Sequence, residues 1–357
     1  LDLNMFNNRL SLTTDFYIRD TKGILGKGKS LPSIYGASEP QMNANNLRTK
    51  GYELVLGWRD SFKLAGSTFS YGITGTFSDY TAEYTKCDNP TGLIGDPYVG
   101  KKYGEIWGYK VDGLFRNDKE AAEYASRIDL STVASGYYTA TGAYGKGVRG
   151  GDIKYLDLNG DNIVNGGKGT LDDPGDRRVI GNSSPRYQYG ASLNFSWYGF
   201  DVSVFMQGIG RLDWYPGADN LRFWGPYCRP YATFVPKNFM SQVWSEENPD
   251  AYFPRARAYT SLNSNSGTAY YTNDRYLQNL AYCRLKNLTI GYTIPRRLTS
   301  KVGIKECRVY FSGENLATWS ALKNDFLDPE QAAADSDKKS NVYPWCRTYS
   351  VGLNLTF

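Results

Sequence analysis

The chain contains no histidine. That absence excludes Ser–His and Cys–His nucleophile pairs and every His-ligated zinc site at once. Its five cysteines, Cys87, Cys228, Cys283, Cys307 and Cys346, show no CxxC spacing, and an odd count does not make a disulfide framework. No stretch approaches the ~18 apolar residues of a membrane helix. A membrane barrel stays open, because its strands alternate apolar and polar residues and never form such a run. The net charge of +5 is scattered with no basic tract, so no nucleic-acid partner is expected. A signal-peptide pattern is missing too. The opening LDLNMFNNRLSL already reads as strand, and the chain is expected to be a fragment of a longer one.

What is abundant is tyrosine, 30 residues, and glycine, 38 residues, set in short alternating runs. Leu10, Leu12, Thr14, Phe16 and Ile18 alternate with Ser11, Thr13, Asp15 and Tyr17. Tyr52, Leu54, Leu56 and Trp58 share one face, as do Phe69, Tyr71, Ile73 and Phe77. Tyr187 to Trp197 alternates Tyr, Ala, Leu, Phe and Trp with Gln, Gly, Ser and Asn. Val202, Val204 and Met206 follow, then Leu288 to Ile294, Val309 and Phe311, and the closing TYSVGLNLTF. With the first residues this makes nine strands, each apolar on one face and small-polar on the other. Leu10, Leu12, Leu54, Leu56, Phe195, Val204, Ile290, Leu353 and Leu355 are expected to face lipid. Ser11, Thr13, Ser192, Asn194, Thr289 and Asn354 are expected to face a wet lumen.

The connections alternate strictly. Phe6–Asn8, Arg59–Phe62 and Tyr198–Gly199 read as tight turns, and Pro295–Lys305 as a moderate one. Thr21–Arg48, Cys87–Pro185, Tyr215–Ala281 and Leu316–Pro344 read as long loops. Short turns at one end and long loops at the other are the plan of an outer-membrane barrel. Aromatics at strand ends, such as Tyr52, Trp58, Trp197 and Trp345, fit interfacial girdles. The competing fold is a soluble all-β domain with large insertions, whose solvent face would ordinarily carry Lys, Glu and Arg rather than Ser, Thr, Gly and Asn.

YCRLKNLTIGYTIP (Tyr282–Pro295), GIKECRVYFSGENL (Gly303–Leu316), WSEENPDAYFPR (Trp244–Arg255), FNNRLSLTTDFYIRDTKGIL near the start and the YSVGLNLTF ending resemble the C-terminal part of SusC/RagA-type TonB-dependent transporters. The resemblance runs from end to end and rests on the order and spacing of these segments. It implies an all-β fold, a transmembrane antiparallel barrel of 22 strands, of which residues 1–357 would be the last nine strands, without the plug and the N-terminal strands. It implies the outer membrane of a Gram-negative bacterium and a SusD-like surface lipoprotein as extracellular partner. Contact with TonB would run through the absent N-terminal part. The expected function is TonB-dependent import of a nutrient, with an oligosaccharide as the first expectation, and no enzyme activity. An oligopeptide importer of the same fold and a surface adhesin without transport are the rivals. In such barrels the terminal aromatic, here Phe357, resembles the signal read by the assembly machinery.

Two loop constellations bear on binding. In DLNGDNIVN, Asp157, Asn159, Asp161 and Asn165 offer oxygens at alternating positions, with the Ile163 carbonyl between, in the manner of a calcium loop. The positions where such a loop has Gly and Glu hold Asn162 and Lys168. The related transporters resemble DLNGDGxIxxxDRxxIG, and here DRRVIG follows an insertion, so that Asp176, or Asp172 or Asp173, completes the site. The alternative is an Asx-rich turn whose side chains cap their own backbone. Either role is structural, and no organic cofactor is expected. In WYPGADNLRFWGPYCRPYATF, Trp214, Tyr215, Phe223, Trp224 and Tyr227, with Tyr231 and Phe234, are candidates for stacking on sugar rings or peptide side chains. The alternative for them is packing against the lid or a neighbouring loop. NDKEAAEYASR (Asn117–Arg127) reads as a short helix with a capping box of Asn117 and Glu120.

Overall fold

A computed structural model describes residues 1–27, 34, 36, 40–139, 147–228, 235–257, 269–323, 327–334 and 343–357. Four strands come first: β1 (Asp2–Met5), β2 (Leu10–Lys27), β3 (Gln41–Leu64) and β4 (Ser67–Lys86). A long excursion carries β5 (Glu105–Tyr109), β6 (Val111–Leu114), α1 (Asp118–Ala125), α2 (Ser135–Thr139), β7 (Ile153–Tyr155) and β8 (Arg177–Asn182). Next are β9 (Arg186–Trp197) and β10 (Phe200–Arg211), then a second excursion with β11 (Asp213–Trp214), α3 (Leu221–Trp224) and β12 (Gln278–Asn279). The chain closes with β13 (Tyr282–Thr293), α4 (Arg296–Thr299), β14 (Glu306–Ser320) and β15 (Thr348–Thr356).

Among the described residues nine strands form one antiparallel sheet in the order β1-β2-β3-β4-β9-β10-β13-β14-β15. Neighbours in the sheet are neighbours in sequence once the excursions are set aside, which is the expected topology. Its register turns the alternation of each strand into continuous rows. Leu10, Trp58, Ile73, Leu193, Val204, Leu288, Gly313 and Tyr349 stand directly opposite one another in succession. One residue further along, on the other face, the row is Gly72, Asn194, Ser203, Thr289, Ser312 and Ser350. Since opposed residues share a face, the sheet has one apolar and one small-polar surface. The apolar surface is open: Val351 is 79 % and Leu353 57 % exposed.

Strand lengths depart from the sequence expectation. The turn placed at Arg59–Phe62 lies instead at Ala65–Gly66, where both residues have positive φ, 48° and 84°. Asp60 and Ser61 look like turn residues, but the alternation resumes beyond them, and Phe62 pairs with Phe69. A two-residue turn with both φ positive matches the twist of its strands. The connection expected over Thr21–Arg48 is likewise shorter, because β2 runs on to Lys27 and β3 starts at Gln41. The Tyr198–Gly199 turn is where it was expected, with φ of 47° and 82°.

On the polar face, glycines let large side chains cross the sheet. Tyr17 lies over Gly51 and Tyr310 over Gly352, each directly opposite, so closely that a Cβ at the glycine would collide with the ring. Gly291 makes room in the same way for a bidentate pair, in which Arg308 Nε donates to Asp201 Oδ1 at 2.9 Å and Nη2 to Oδ2 at 2.5 Å.

The hydrophobic core lies outside the sheet. It is built by the two excursions packed together: Phe115, Leu130, Val133, Tyr137, Ile153 and Tyr155 from the first meet Trp224, Phe253, Tyr276 and Leu280 from the second. Helix α1 forms as its capping residues require. The Asn117 side chain accepts from the Glu120 N–H at 2.9 Å, and Glu120 accepts from the Arg116 N–H at 2.7 Å.

Candidate functional site

The expected substrate-binding aromatics sit inside this loop core. Trp214, Tyr215, Phe223, Trp224 and Tyr227 are all buried, Trp224 completely. Phe223 and Trp224 meet edge to face at 4.7 Å, and Trp224 meets Tyr276 at 5.0 Å. Phe253 contacts Phe223 at 5.9 Å and stacks on Tyr227 at 5.8 Å. The polar ends of Tyr215, Trp224 and Tyr227 are satisfied internally, whereas the buried Trp214 Nε1 has no hydrogen-bond partner among the described residues. Tyr215 Oη donates toward the Ala269 and Tyr271 carbonyls and accepts from Asn273 Nδ2 at 3.0 Å. Trp224 Nε1 donates to the Gly217 carbonyl at 3.0 Å, and Tyr227 Oη to that of Pro254. Burial holds the Tyr215 and Tyr227 hydroxyls well above the ordinary phenol range. The structure thus places these five side chains within one packing core. Tyr231 and Phe234 lie outside the described residues. The partners that enclose the cluster, Tyr252, Phe253 and Tyr276, lie some 25 to 60 residues downstream, and no local pattern announces them.

The acidic loop is drawn together around its own backbone. Asp157 Oδ1 accepts from the Gly160 N–H at 2.7 Å and Oδ2 from that of Asn162 at 2.9 Å. Asn159 Oδ1 accepts from the Asp161 N–H, and Asp161 Oδ1 from that of Ile163. Asn165 Oδ1 accepts from the Gly167 N–H at 2.6 Å. Asp176 is the downstream carboxylate that reaches the loop. Fully buried, it accepts from the N–H groups of Leu158, Asn159 and Asn165. Asp173 instead closes the insertion on itself, accepting from the Lys168 N–H at 3.2 Å. This is the bonding of a self-capped Asx turn. Among the described residues no three acidic or sulfur side chains converge as metal ligands.

A third constellation went unread in the sequence. On the polar face of β13, buried Arg284 donates to Glu330 Oε2 and to Asp328 Oδ2, both at 2.6 Å, and to Thr318 Oγ1 at 2.9 Å. Lys286, the extra residue at a bulge in β13, reaches both Glu330 oxygens at 2.8 and 2.9 Å. The β14–β15 loop is therefore clipped to the wall by two cations matched with two anions. The only signal in the sequence is a pair of cations at the end of an alternating strand; their partners, 44 to 46 residues away, carry none. Lower on the sheet an open hollow of about 870 Å³ lies beside the short turns, bordered by Asn8, Arg59, Asn194, Asp201 and Ser203 among others.

A nine-stranded antiparallel sheet with one apolar and one small-polar face, all its long loops at one end, is a segment of a β-barrel wall. The comparisons agree. No family model matches the chain. It is 26 % identical over its whole length to the TonB-dependent receptors P3 and P26 of Formosa agariphila, of which it covers 33 % and 34 %. It is 19 % identical to the TonB-dependent receptor SusC of Bacteroides thetaiotaomicron, covering 31 % of it. Structures of the RagAB peptide transporter match the whole chain at TM-scores of 0.64 and, in the closed-closed state, 0.65, with 20 % identity and 34 % of that chain covered. The chain is thus similar from end to end to TonB-dependent receptors, SusC among them, and spans about a third of the length of the relatives it matches, their C-terminal third.

Proposed function

We propose that the protein containing this chain imports an oligomeric nutrient across the outer membrane of a Gram-negative bacterium. TonB would drive import through parts of the protein other than these strands. The observation that carries the reading is the pair of unbroken cross-strand rows, apolar on one face and small-polar on the other. The first faces lipid and the second a wet lumen. A SusD-like surface lipoprotein at the long-loop end completes the assembly, in keeping with SusC and RagAB among the relatives. The role is transport, and no residue is assigned a catalytic part.

The nutrient is an oligosaccharide or an oligopeptide. The saccharide reading follows the first expectation, and the similarity to RagAB, a peptide transporter, favours the peptide. A calcium ion on Asp157, Asn159 and Asp161, with Ile163, Asn165 and Asp176 behind them, is a structural part of the proposal. It would brace the first excursion without touching cargo, and a rise in thermal stability with calcium, reversed by chelator, tests it. The function is tested by uptake of labelled oligosaccharide and peptide pools into cells with and without the full-length gene and with and without TonB. Uptake that needs both supports import. Surface binding unaffected by loss of TonB, with no uptake, indicates an adhesin.

A further inference from the structure

One connection at the short-turn end is unlike the others. β3–β4 and β9–β10 turn in two residues, whereas β13 and β14 are joined by residues 294–305. This connection folds into α4 and a 3-10 turn, Ser300–Val302, opened by Pro295 and closed by Gly303 at φ 78°. It carries Arg296, Arg297, Lys301 and Lys305 and no carboxylate, and all four cations are exposed. Among the described residues none of the four takes part in a salt bridge. Between them stand Leu298 and Val302, four residues apart and 54 % and 71 % exposed, while Thr299 is buried.

An exposed apolar pair framed by unpaired cations is costly in water and well matched to one kind of surface. The connection continues directly from the apolar face. The Ile294 N–H bonds the Cys307 carbonyl at 2.9 Å, and just before it Tyr292 packs on Phe200, ring centroids 4.6 Å apart. Trp197 and Tyr198, 5.0 Å apart, flank the same end of the sheet. Such a belt of aromatics marks the headgroup level of a bilayer. The turn therefore sits where the lipid-facing wall meets headgroups, on the side opposite the loop core.

We propose that residues 294–305 form a binding surface for anionic phospholipids of the periplasmic leaflet. Leu298 and Val302 enter the acyl boundary, and Arg296, Arg297, Lys301 and Lys305 take the phosphates. Amphipathic basic segments bind membranes in this way, through apolar area plus attraction that salt screens. The inference rests on the barrel reading above.

The test uses the full-length transporter in nanodiscs of phosphatidylethanolamine with graded phosphatidylglycerol, the retained lipids being counted by native mass spectrometry. The wild-type protein is expected to retain phosphatidylglycerol in preference. Replacing all four cations by glutamine should lower that preference by roughly tenfold, and raised salt should weaken the wild type in the same direction. A preference unchanged in the quadruple variant, or absent from the wild type, overturns the proposal. Failure of the protein to enter nanodiscs at all instead strikes at the barrel reading. A photoreactive residue at Val302 in cells should capture phospholipid; capture of a periplasmic protein in its place also overturns the proposal.

Discussion

Asp152 is buried with Arg257, whose Nη1 donates to Asp152 Oδ2 at 2.7 Å, and it accepts the Arg149 N–H at 2.8 Å. Burial pushes its carboxyl from the usual 3.8 up to about 7, although Arg257 and the Arg149 N–H pull it down. In the unfolded chain it ionises at its ordinary value. The stability it contributes is thus fully present below that value and is lost as the pH rises through about 7. At about 1.4 kcal/mol per pKa unit the loss is a few kcal/mol. Urea unfolding of the loop core, followed by tryptophan fluorescence, should show a midpoint that falls between pH 4 and 7 and an Asp152→Asn midpoint that stays level. A level wild-type profile would show the carboxylate charged throughout. At Gly352 a methyl group would meet the Tyr310 ring. Gly352→Ala is expected to cost about 1–3 kcal/mol as an overpacked contact, and Gly352→Ala with Tyr310→Ser to recover most of it in the same unfolding measurement. The DLNGDNIVN loop shows how far single residues were legible. Alternating Asx oxygens pointed to a cation loop or an Asx turn, with Asp176, Asp172 or Asp173 to complete it; Asp176 is the one that bonds the loop backbone, but whether the oxygens meet N–H groups or a cation is not written in their order.

The strands were legible because a half-buried strand repeats every two residues and a change of solvent across the sheet fixes which residues repeat. Leu193, Phe195 and Trp197 against Asn194 and Ser196 declare both faces without help from the rest of the chain. Ends were not legible in the same way. Asp60 and Ser61 are polar wherever they stand, and only pairing with β4 tells a turn from the continuation of a strand. The loop core was illegible for a related reason: a tryptophan in a loop is written alike whether it meets Tyr276 or a ligand. Facing gives a quantitative prediction. Val351 lies on the apolar face opposite Phe311, and Ser350 on the polar face opposite Ser312. Val351→Arg in the full-length protein folded into lipid vesicles should lose about 2–4 kcal/mol, and Ser350→Arg clearly less. Equal losses in denaturant titrations would contradict the facing.

At the scale of the whole molecule, the sequence by itself predicts that Phe223, Trp224, Phe234, Trp244 and Phe253 form exposed patches on the long loops, which a lid would have to cover. The structure corrects this: Phe223, Trp224, Trp244 and Phe253 are buried in the loop core, and Phe234 lies outside the described residues. The excursions order each other, so the entropy of the loops no longer requires a partner. What remains for a lipoprotein is the outer surface of this body, where Val99 is 66 % and Met240 74 % exposed. An interface of more than about 2,000 Å² is expected there, as in permanent complexes, drawn from the long loops and hardly at all from the short turns. Affinity purification of the tagged full-length transporter, followed by mass spectrometry, should recover a lipoprotein in equal amount. Val99→Glu with Met240→Glu places two desolvated charges in such an interface and should strip the lipoprotein away. Leu298→Asn with Val302→Asn, at the opposite end of the strands, should leave it bound. A transporter recovered intact without any lipoprotein would favour a barrel that works alone. Loss of the lipoprotein on changing the short-turn end, but not the long-loop end, would place the partner on the wrong side of the membrane and with it reverse the orientation of the chain.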